Sequence, residues 1–375
     1  MGERVTYEQS SGSSLQAHLV ALPDAGSSLH RRWQHLAETA AEPVVFNEPD
    51  FVLAAARHLD PQPRLGLLMA ADQDGLAFAL PVQRTAGYRR LPLPAITAWR
   101  HDYCFLTTPL VRPGVERLAW EAVLGLLAHR VPWLVLEELA ADGPVWDGLQ
   151  EALASLSIGS VEGLRYGRAV ARRRSEETYL SGVRGVHLKS FRRQRRALGR
   201  EVSLRRHVGD AQSVEAFLEL ESAGWKGHAG GAMAMRPGHA DLLREVVCRA
   251  PELCEVFALV VDGVPVALQV NLRRGRVSFC FKTTYDEVHR RQSPGLLLML
   301  EVLSAFHADA ALDVLDSCAV AGHPMAERLL PDRRPVVTLV VPFSVLGRFA
   351  AHTLPLLIRL RSRVKHKERP WSVSR

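Results

Sequence analysis

The sequence predicts an α/β fold made of two similar mixed-sheet units. The chain has 375 residues, more than one ordinary domain needs, and 47% of them are hydrophobic, enough for two cores. Residues 255–316 follow the order strand, strand, strand, helix, strand, and residues 65–139 follow a weaker copy of it. This repetition indicates a duplicated unit, with the join near residues 159–167.

The first unit is predicted from a hairpin, a helix and a strand. Residues 65–71 and 76–83 are strand-like segments on either side of Asp74-Gly75, a dipeptide typical of hairpin turns. Residues 115–130 have helical periodicity, and residues 133–139 form an apolar run of strand length. We therefore expect these elements in that order.

The second unit has the clearer pattern. Residues 256–261, 264–272 and 277–283 are apolar or alternating runs, separated by the turn signals Asp262-Gly263 and Arg274-Gly275. Such a pattern predicts a three-stranded antiparallel meander.

A helix and a strand are predicted after the meander. Ser293 suits the N-cap position and Pro294 suits the first helical position, and the apolar run continues to about Phe306. Residues 311–315 form a further buried strand that ends at Asp316. We divide the chain into an N-terminal extension, a degenerate first unit, a second unit and a basic amphipathic tail; their respective bounds are 1–43, 44–162, 163–340 and 341–375.

The positive charge is concentrated in two segments. The formal net charge is +7, but residues 165–206 hold 14 Arg or Lys against three Glu, and residues 359–375 hold seven Arg or Lys against one Glu. This excludes a uniformly basic protein and makes nucleic acid an improbable partner. Within the first segment, residues 188–202 have helical periodicity with arginines on one face. That face is either simply solvated or a site for a phosphate-bearing ligand or an anionic lipid surface.

Cysteine usage and hydropathy bear on the compartment. Five cysteines without CxxC or Cys/His spacing exclude a disulfide framework and a structural zinc, and they indicate a reducing compartment. The N-terminus has no apolar signal region, and no run of 18 uncharged apolar residues exists. We therefore expect a cytoplasmic protein. Residues 336–360, followed by the basic tail, suit either a packed helix or peripheral attachment to the inner membrane.

Three segments contain candidate functional residues. Gln292-Ser293-Pro294-Gly295 opens a helix just after two arginines, which suits a pyrophosphate cradle or an ordinary capped helix. Residues 220–227 and 316–325 place titratable side chains at the ends of elements. The sequence contains no GxxxxGK[ST], GxGxxG or GxSxG motif, so nucleotide hydrolysis, dinucleotide redox chemistry and a hydrolase elbow are unsupported.

These segments together resemble a known family. The resemblance rests on three ordered motifs. They are LELESA-GWKG at 218–227, FKTTYDE at 281–287 followed by QSPGLLL at 292–298, and DSCAVAGHPM at 316–325 followed by ERLLPDRRP at 327–335. They resemble GNAT-type acyltransferases of the CelD-like group, which have a BioF2-like acetyltransferase domain. That group is related to the FemABX transferases, which have two GNAT units in tandem. The resemblance is strong over 165–335 and loose over 45–160.

The resemblance implies an acetyl-CoA or acyl-CoA co-substrate and no metal. It places the thioester across the third strand and the following helix, where Gln292 and Gly295 keep the family frame. Leu297 replaces a small residue of that frame, and Leu330 stands near the place of a usual Trp. The candidate CoA-binding residues are Phe281, Lys282, Thr283, Arg290, Arg291, Gln292, Ser293 and Gly295.

Aminolysis of a thioester requires a base for the amine and a proton donor for the thiolate. We assign the role of base to Asp286 or His323 and the role of proton donor to Tyr285. Stabilisation of the oxyanion is assigned to backbone N–H groups near 281–283. Candidate acceptor-binding residues are Glu221, Trp225, Lys226 and Asp316.

The predicted function is N-acylation of an amine, with a lipid or sphingoid amine or an envelope-polysaccharide amine as candidate acceptors. Two alternatives remain. One is a FemABX-like transferase with an aminoacyl-tRNA donor, and the other is a non-catalytic GNAT-like scaffold in exopolysaccharide biosynthesis.

Overall fold

The structure is a computed structural model that describes residues 5–6, 15–59, 65–89, 91–175, 177–179, 185–199 and 201–349. The predicted basic tail beyond Phe349 lies outside the described residues, as does most of the first 14 residues.

Within the described residues, the first unit contains eight strands and four helices. They are β1 (Val5–Thr6), β2 (Gln16–Ala21), α1 (Ser28–Thr39), α2 (Pro49–His58), β3 (Leu65–Asp72), β4 (Gly75–Thr85), β5 (Ala95–Ala98), β6 (Leu110–Val111), α3 (Glu116–Ala128), β7 (Trp133–Ala140), α4 (Pro144–Ser155) and β8 (Val161–Arg172).

The second unit repeats this order. It contains α5 (Gly185–Leu198), β9 (Val202–Val208), α6 (Ala211–Ala223), α7 (Trp225–His228), α8 (His239–Arg249), β10 (Cys254–Val261), β11 (Val264–Arg274), β12 (Val277–Tyr285), α9 (Pro294–Ala308), β13 (Val314–Asp316), α10 (Pro324–Leu329) and β14 (Asp332–Pro342). Short 3-10 turns lie at Val45–Asn47, Met233–Met235, Pro251–Leu253 and Glu287–Gln292.

All strands of the described residues form one sheet, and the two units exchange their last strands. The order is β1-β2-β3-β4-β5-β7-β14-β8-β13-β12-β11-β10-β9, with β6 paired to β4. β8, the last strand of the first unit, pairs with β13 of the second. β14, the last strand of the second unit, pairs with β7 of the first. The predicted duplicated α/β fold is confirmed, and each unit is completed by its neighbour.

A shared hydrophobic core also joins the units. Phe46 packs edge-to-face on Phe279 with ring centroids 5.2 Å apart, and Phe51 packs on Phe281 at 6.3 Å. Aromatic pairs of this geometry add to the free energy gained by burial. Buried residues of both units therefore belong to one hydrophobic cluster.

The meander is confirmed, and several boundaries differ from the sequence-based division. Asp262 and Gly263 both have positive φ, as a two-residue hairpin turn requires. The helix predicted through residue 202 ends at Leu198, because Val202 begins β9 beside β10. Residues 16–39 supply β2 and α1 to the first unit, and β8 crosses the division at 162/163.

Candidate active site

Strands β12 and β13 diverge and open a cavity between them. They pair in parallel from Val277 opposite Val314 to Phe279 opposite Asp316. β12 then continues to Tyr285 whereas β13 ends, so the later part of β12 loses its neighbour on this edge. A cavity of about 740 Å³ lies here, walled by β12, the loop after β13 and the start of α9. An extended ligand in this gap can reach backbone groups of β12.

A β-bulge in β12 accompanies this opening. Val270 lies opposite Lys282 and Asn271 lies opposite Cys280, so Phe281 is an extra residue on β12. A bulge interrupts the alternation of side chains between the two faces of a sheet. The adjacent residues Phe281 and Lys282 both line the cavity.

A buried carboxylate holds two lysines at the cavity wall. Glu221 of α6 has no exposed side-chain surface, and its Oε1 lies 3.2 Å from Nζ of Lys282 and 3.4 Å from Nζ of Lys226. Its Oε2 accepts a 2.8 Å hydrogen bond from the backbone N–H of Met233. Lys226 also donates to the carbonyl oxygen of Thr283 at 2.6 Å, and burial lowers the pKa of Lys226. Glu221 thereby fixes both ammonium groups beside β12.

The first unit closes one side of the cavity. The Tyr103 hydroxyl forms a 2.6 Å hydrogen bond with Nδ1 of His239, the first residue of α8. Burial raises the pKa of Tyr103 and lowers the pKa of His239, so both side chains are neutral at pH 7. Nζ of Lys282 lies 5.4 Å from the centroid of the Tyr103 ring. Asp102 and Arg236, also on the wall, form an ion pair between the units at 2.5 Å.

The start of α9 forms another wall. Ser293 occupies the predicted N-cap position, but its backbone is left-handed, with φ 53°, and its side chain makes no capping hydrogen bond. It also ends the preceding 3-10 turn, and its Oγ accepts a 3.5 Å hydrogen bond from Gln194 of α5. A Cβ at Gly295 would lie 3.4 Å from the ring of Tyr285. Gly295 thus leaves room beside a helix N-terminus with partial positive charge.

The other predicted residues divide between the wall and its surroundings. His323 lines the cavity, and its Nδ1 accepts a 3.4 Å hydrogen bond from the N–H of Ala326. Asp286 lies off the wall and caps the 3-10 turn through the N–H of Val288 at 3.0 Å. Asp316 is fully buried, 3.4 Å from Arg334. Of the remaining predicted residues, Trp225, Lys226, Thr283, Tyr285 and Arg290 line the cavity, whereas Arg291 and Gln292 do not.

A second cavity of about 460 Å³ adjoins the first and shares Asp102, Phe105 and Cys318 with it. Its charged groups are paired: Arg168 lies 2.8 Å from Glu138. It lies where β5 and β7 diverge, the place in the first unit that corresponds to the opening between β12 and β13.

Sequence patterns missed the first unit's share of the site. Asp102, Tyr103 and Phe105 follow β5 in a segment, residues 99–105, that is rich in aromatic and titratable side chains. This concentration of aromatic and titratable side chains could have marked the segment as functional, but nothing in the local sequence indicates that the segment meets α6 and α8. Burial lowers the pKa of His101 in this segment to about 4.

Two negative findings apply to the described residues. Within them, no group of three or more His, Cys, Asp or Glu is arranged to hold a metal ion. No helix in the described ranges is both long enough and apolar enough to span a bilayer.

Comparison with known proteins identifies the second unit. Residues 186–321 match the family described as acetyltransferase (GNAT) domain. No curated protein matches the chain in sequence. The matched segment contains β12, β13, α9 and the buried Glu221, which are the elements around the cavity.

Solved structures show the same fold over most of the chain. FemX is 9% identical, with a TM-score of 0.57 over 86% of this chain and 98% of FemX. L-PGS from Bacillus licheniformis is 10% identical, with a TM-score of 0.55 over 92% of this chain and 98% of that one. At these identities the likeness concerns the fold alone. The second unit therefore contains a segment that matches a GNAT acetyltransferase domain, and the chain as a whole shares the fold of FemX and L-PGS.

Proposed function

We propose that this chain transfers an acyl group from acyl-CoA to an amine. The observation that carries the proposal is the cavity between the diverging strands β12 and β13, which ends at the start of α9. The unpaired edge of β12 suits a pantetheine arm, and the opening ends at a helix N-terminus, which favours pyrophosphate. Arg290 stands on the wall beside that terminus and adds positive charge.

The thioester is proposed to lie along the unpaired edge of β12. Backbone N–H groups there are available to pantetheine amides and to the developing oxyanion, because β13 ends at Asp316. Apolar side chains on the α9 side, Leu296 and Met299, provide surface for the acyl and pantetheine methylenes.

Proton transfer is assigned to wall residues. Tyr103 can take a proton from the attacking amine while its own proton passes to Nδ1 of His239, which returns it to solvent. His323 accepts from Ala326 at Nδ1, so its neutral form carries the proton on Nε2 and can donate a hydrogen bond to the departing thiolate, which takes its proton from solvent. Tyr285, the proton donor predicted from the sequence, has its ring beside Gly295 and is a second candidate to assist the departing thiolate. Asp286, held as a cap, then positions the 3-10 turn.

A second candidate donor is aminoacyl-tRNA. It is favoured by the exposed arginines of α5, Arg192, Arg193 and Arg196, which lie on the helix that contacts Ser293 through Gln194. Such a row of arginines suits a polyphosphate backbone as well as the phosphates of CoA. A non-catalytic scaffold role is the third candidate.

Thiol release tests the proposal. The full chain is incubated with acyl-CoAs of increasing chain length and a pool of amines, and free thiol is measured. Release that depends on both substrates supports N-acyl transfer from CoA. If no acyl-CoA yields thiol and tRNA binds with a steep salt dependence, the tRNA donor replaces it. If neither occurs, the scaffold role remains.

A further inference from the structure

We propose that the acceptor amine carries a carboxylate, as an amino acid does, and that Lys226, Lys282 and Arg236 bind this carboxylate. The proposal rests on the N-acyltransferase function proposed above and adds the chemical class of its acceptor.

The acceptor side is the part of the cavity wall formed by Lys226, Lys282, Arg236 and Asp102, and the charges on this side do not cancel. Lys226 and Lys282 share the single carboxylate of Glu221, and Arg236 is paired with Asp102. Among the described residues on this side, three cations on the wall therefore face two carboxylates, Asp102 on the wall and Glu221 buried behind it. Glu287, an acid beside Trp225, accepts a hydrogen bond from the N–H of Trp225 and is not on the wall. His239 is kept neutral by its lowered pKa. One positive charge is left for a ligand.

The lysines also keep unused donors. An ammonium group has three N–H bonds. Lys226 uses two of its N–H bonds, one to Glu221 and one to the carbonyl oxygen of Thr283. Lys282 uses one N–H bond, to Glu221, and its ammonium group also lies near the Tyr103 ring. Both side chains remain partly accessible, at 25% for Lys226 and 18% for Lys282. A carboxylate can accept from both and form charge-assisted hydrogen bonds.

In the part of the chain that the structure describes, no carboxylate on this side is free to bind a cationic group. Glu221 is inaccessible and accepts from two ammonium groups and a backbone N–H. Asp102 is 54% exposed, but Arg236 holds it. A polyamine or a sphingoid base would therefore meet a wall of its own charge. An amino acid presents a carboxylate beside its amine and meets the opposite charge.

Matched acceptor pairs test the proposal. Thiol release is measured at pH 7 for glycine against glycinamide and for phenylalanine against its amide, with kcat/KM expressed per total amine. The amide lacks the negative charge, and its less basic amine is the more available at neutral pH, which offsets the greater nucleophilicity of the amino acid's amine. A preference for the acid must therefore come from the protein. We expect the amino acids to be favoured at least about tenfold.

Variants connect that preference to the residues. Arg236→Gln lowers the acid-to-amide ratio about tenfold, whereas Asp102→Asn, which removes a competing negative charge, raises it. The control is Arg244→Gln in the following helix α8, whose arginine pairs with Glu215 and Asp241 away from the cavity. It leaves the ratio unchanged.

The outcomes separate this inference from the function on which it rests. Absence of thiol release with every acyl-CoA and every amine overturns the acyltransferase proposal itself. Release with equal or higher kcat/KM for the amides, or an unchanged ratio in Arg236→Gln, overturns only the assignment of a carboxylate-bearing acceptor.

Discussion

Nζ of Lys282 lies 3.2 Å from Oε1 of Glu221, a buried carboxylate 61 residues earlier in the chain. Glu221 comes from a helix and Lys282 from a bulged strand, so their meeting depends on the packing of α6 against the sheet. This pair organises one side of the cavity, and the same carboxylate also holds Lys226.

Removing the buried carboxylate should destabilise the chain. In Glu221→Leu two ammonium groups remain close together without a counter-charge, and we expect a loss of about 3–5 kcal/mol in the free energy of unfolding. Urea denaturation measures this. Glu219→Leu, at an exposed position of the same helix, is the control and should change stability by less than about 0.5 kcal/mol. Equal effects of the two substitutions would contradict the role given to Glu221.

Glu42 should make stability depend on pH. Burial raises its pKa to about 7, and its Oε1 accepts a 3.0 Å hydrogen bond from the N–H of Val145 at the start of α4. The folded state holds this proton more tightly than the unfolded state, so protonated Glu42 adds to the free energy of unfolding. This stabilisation is fully present below the pKa of Glu42 in the unfolded chain and is lost as the pH rises through 7. Relative to Glu42→Gln, we expect the wild type to lose up to about 3 kcal/mol between pH 4.5 and 7. A pH-independent difference between the two proteins would refute this.

The exchange of β8 and β14 should make unfolding cooperative across both units. Five of the seven tryptophans, Trp33, Trp99, Trp120, Trp133 and Trp146, lie in the first unit, so tryptophan fluorescence reports mainly on that unit, whereas far-ultraviolet circular dichroism reports on both. We expect the two signals to give the same midpoint in urea, because neither unit is complete without the other's strand. Separate midpoints would show that the units unfold independently.

Tyr103→Phe tests the proposed proton relay. Loss of the hydroxyl removes the contact with His239, and we expect kcat to fall at least about 100-fold. His239→Gln should also remove the acidic limb of the pH profile of kcat. Tyr88→Phe, a tyrosine that bonds Glu137 in the first unit, serves as the control. A full-activity Tyr103→Phe enzyme with an unaltered pH profile would rule the relay out.

Much of the fold was predictable because its signals are local. The Asp262-Gly263 turn and the alternating strands around it specify the meander, and Pro294 marks the first residue of α9. Periodicity over short windows is sufficient for such elements. The resemblance of the second unit to GNAT acyltransferases, carried by three short motifs, is confirmed by the match over residues 186–321.

The remainder depends on distant parts of the chain. Nothing near β8 or β14 indicates that these strands are exchanged, because sequence pattern fixes which face of a strand is buried but not its partner. The bulge at Phe281 depends on register against β11. Tyr103 reaches the site only because the first unit packs on α8.

The central claim, that CoA binds where β12 and β13 diverge, is tested most directly by the dissociation constant for CoA of Gly295→Asp. An aspartate in the first turn of α9 favours the helix dipole, so folding should be retained, but its charge opposes pyrophosphate at that terminus. Gly159→Asp adds the same charge at an open, exposed position and is the control. By calorimetric titration we expect Gly295→Asp to bind CoA at least about tenfold more weakly than the wild type and the control. Equal affinity in all three proteins would contradict the account.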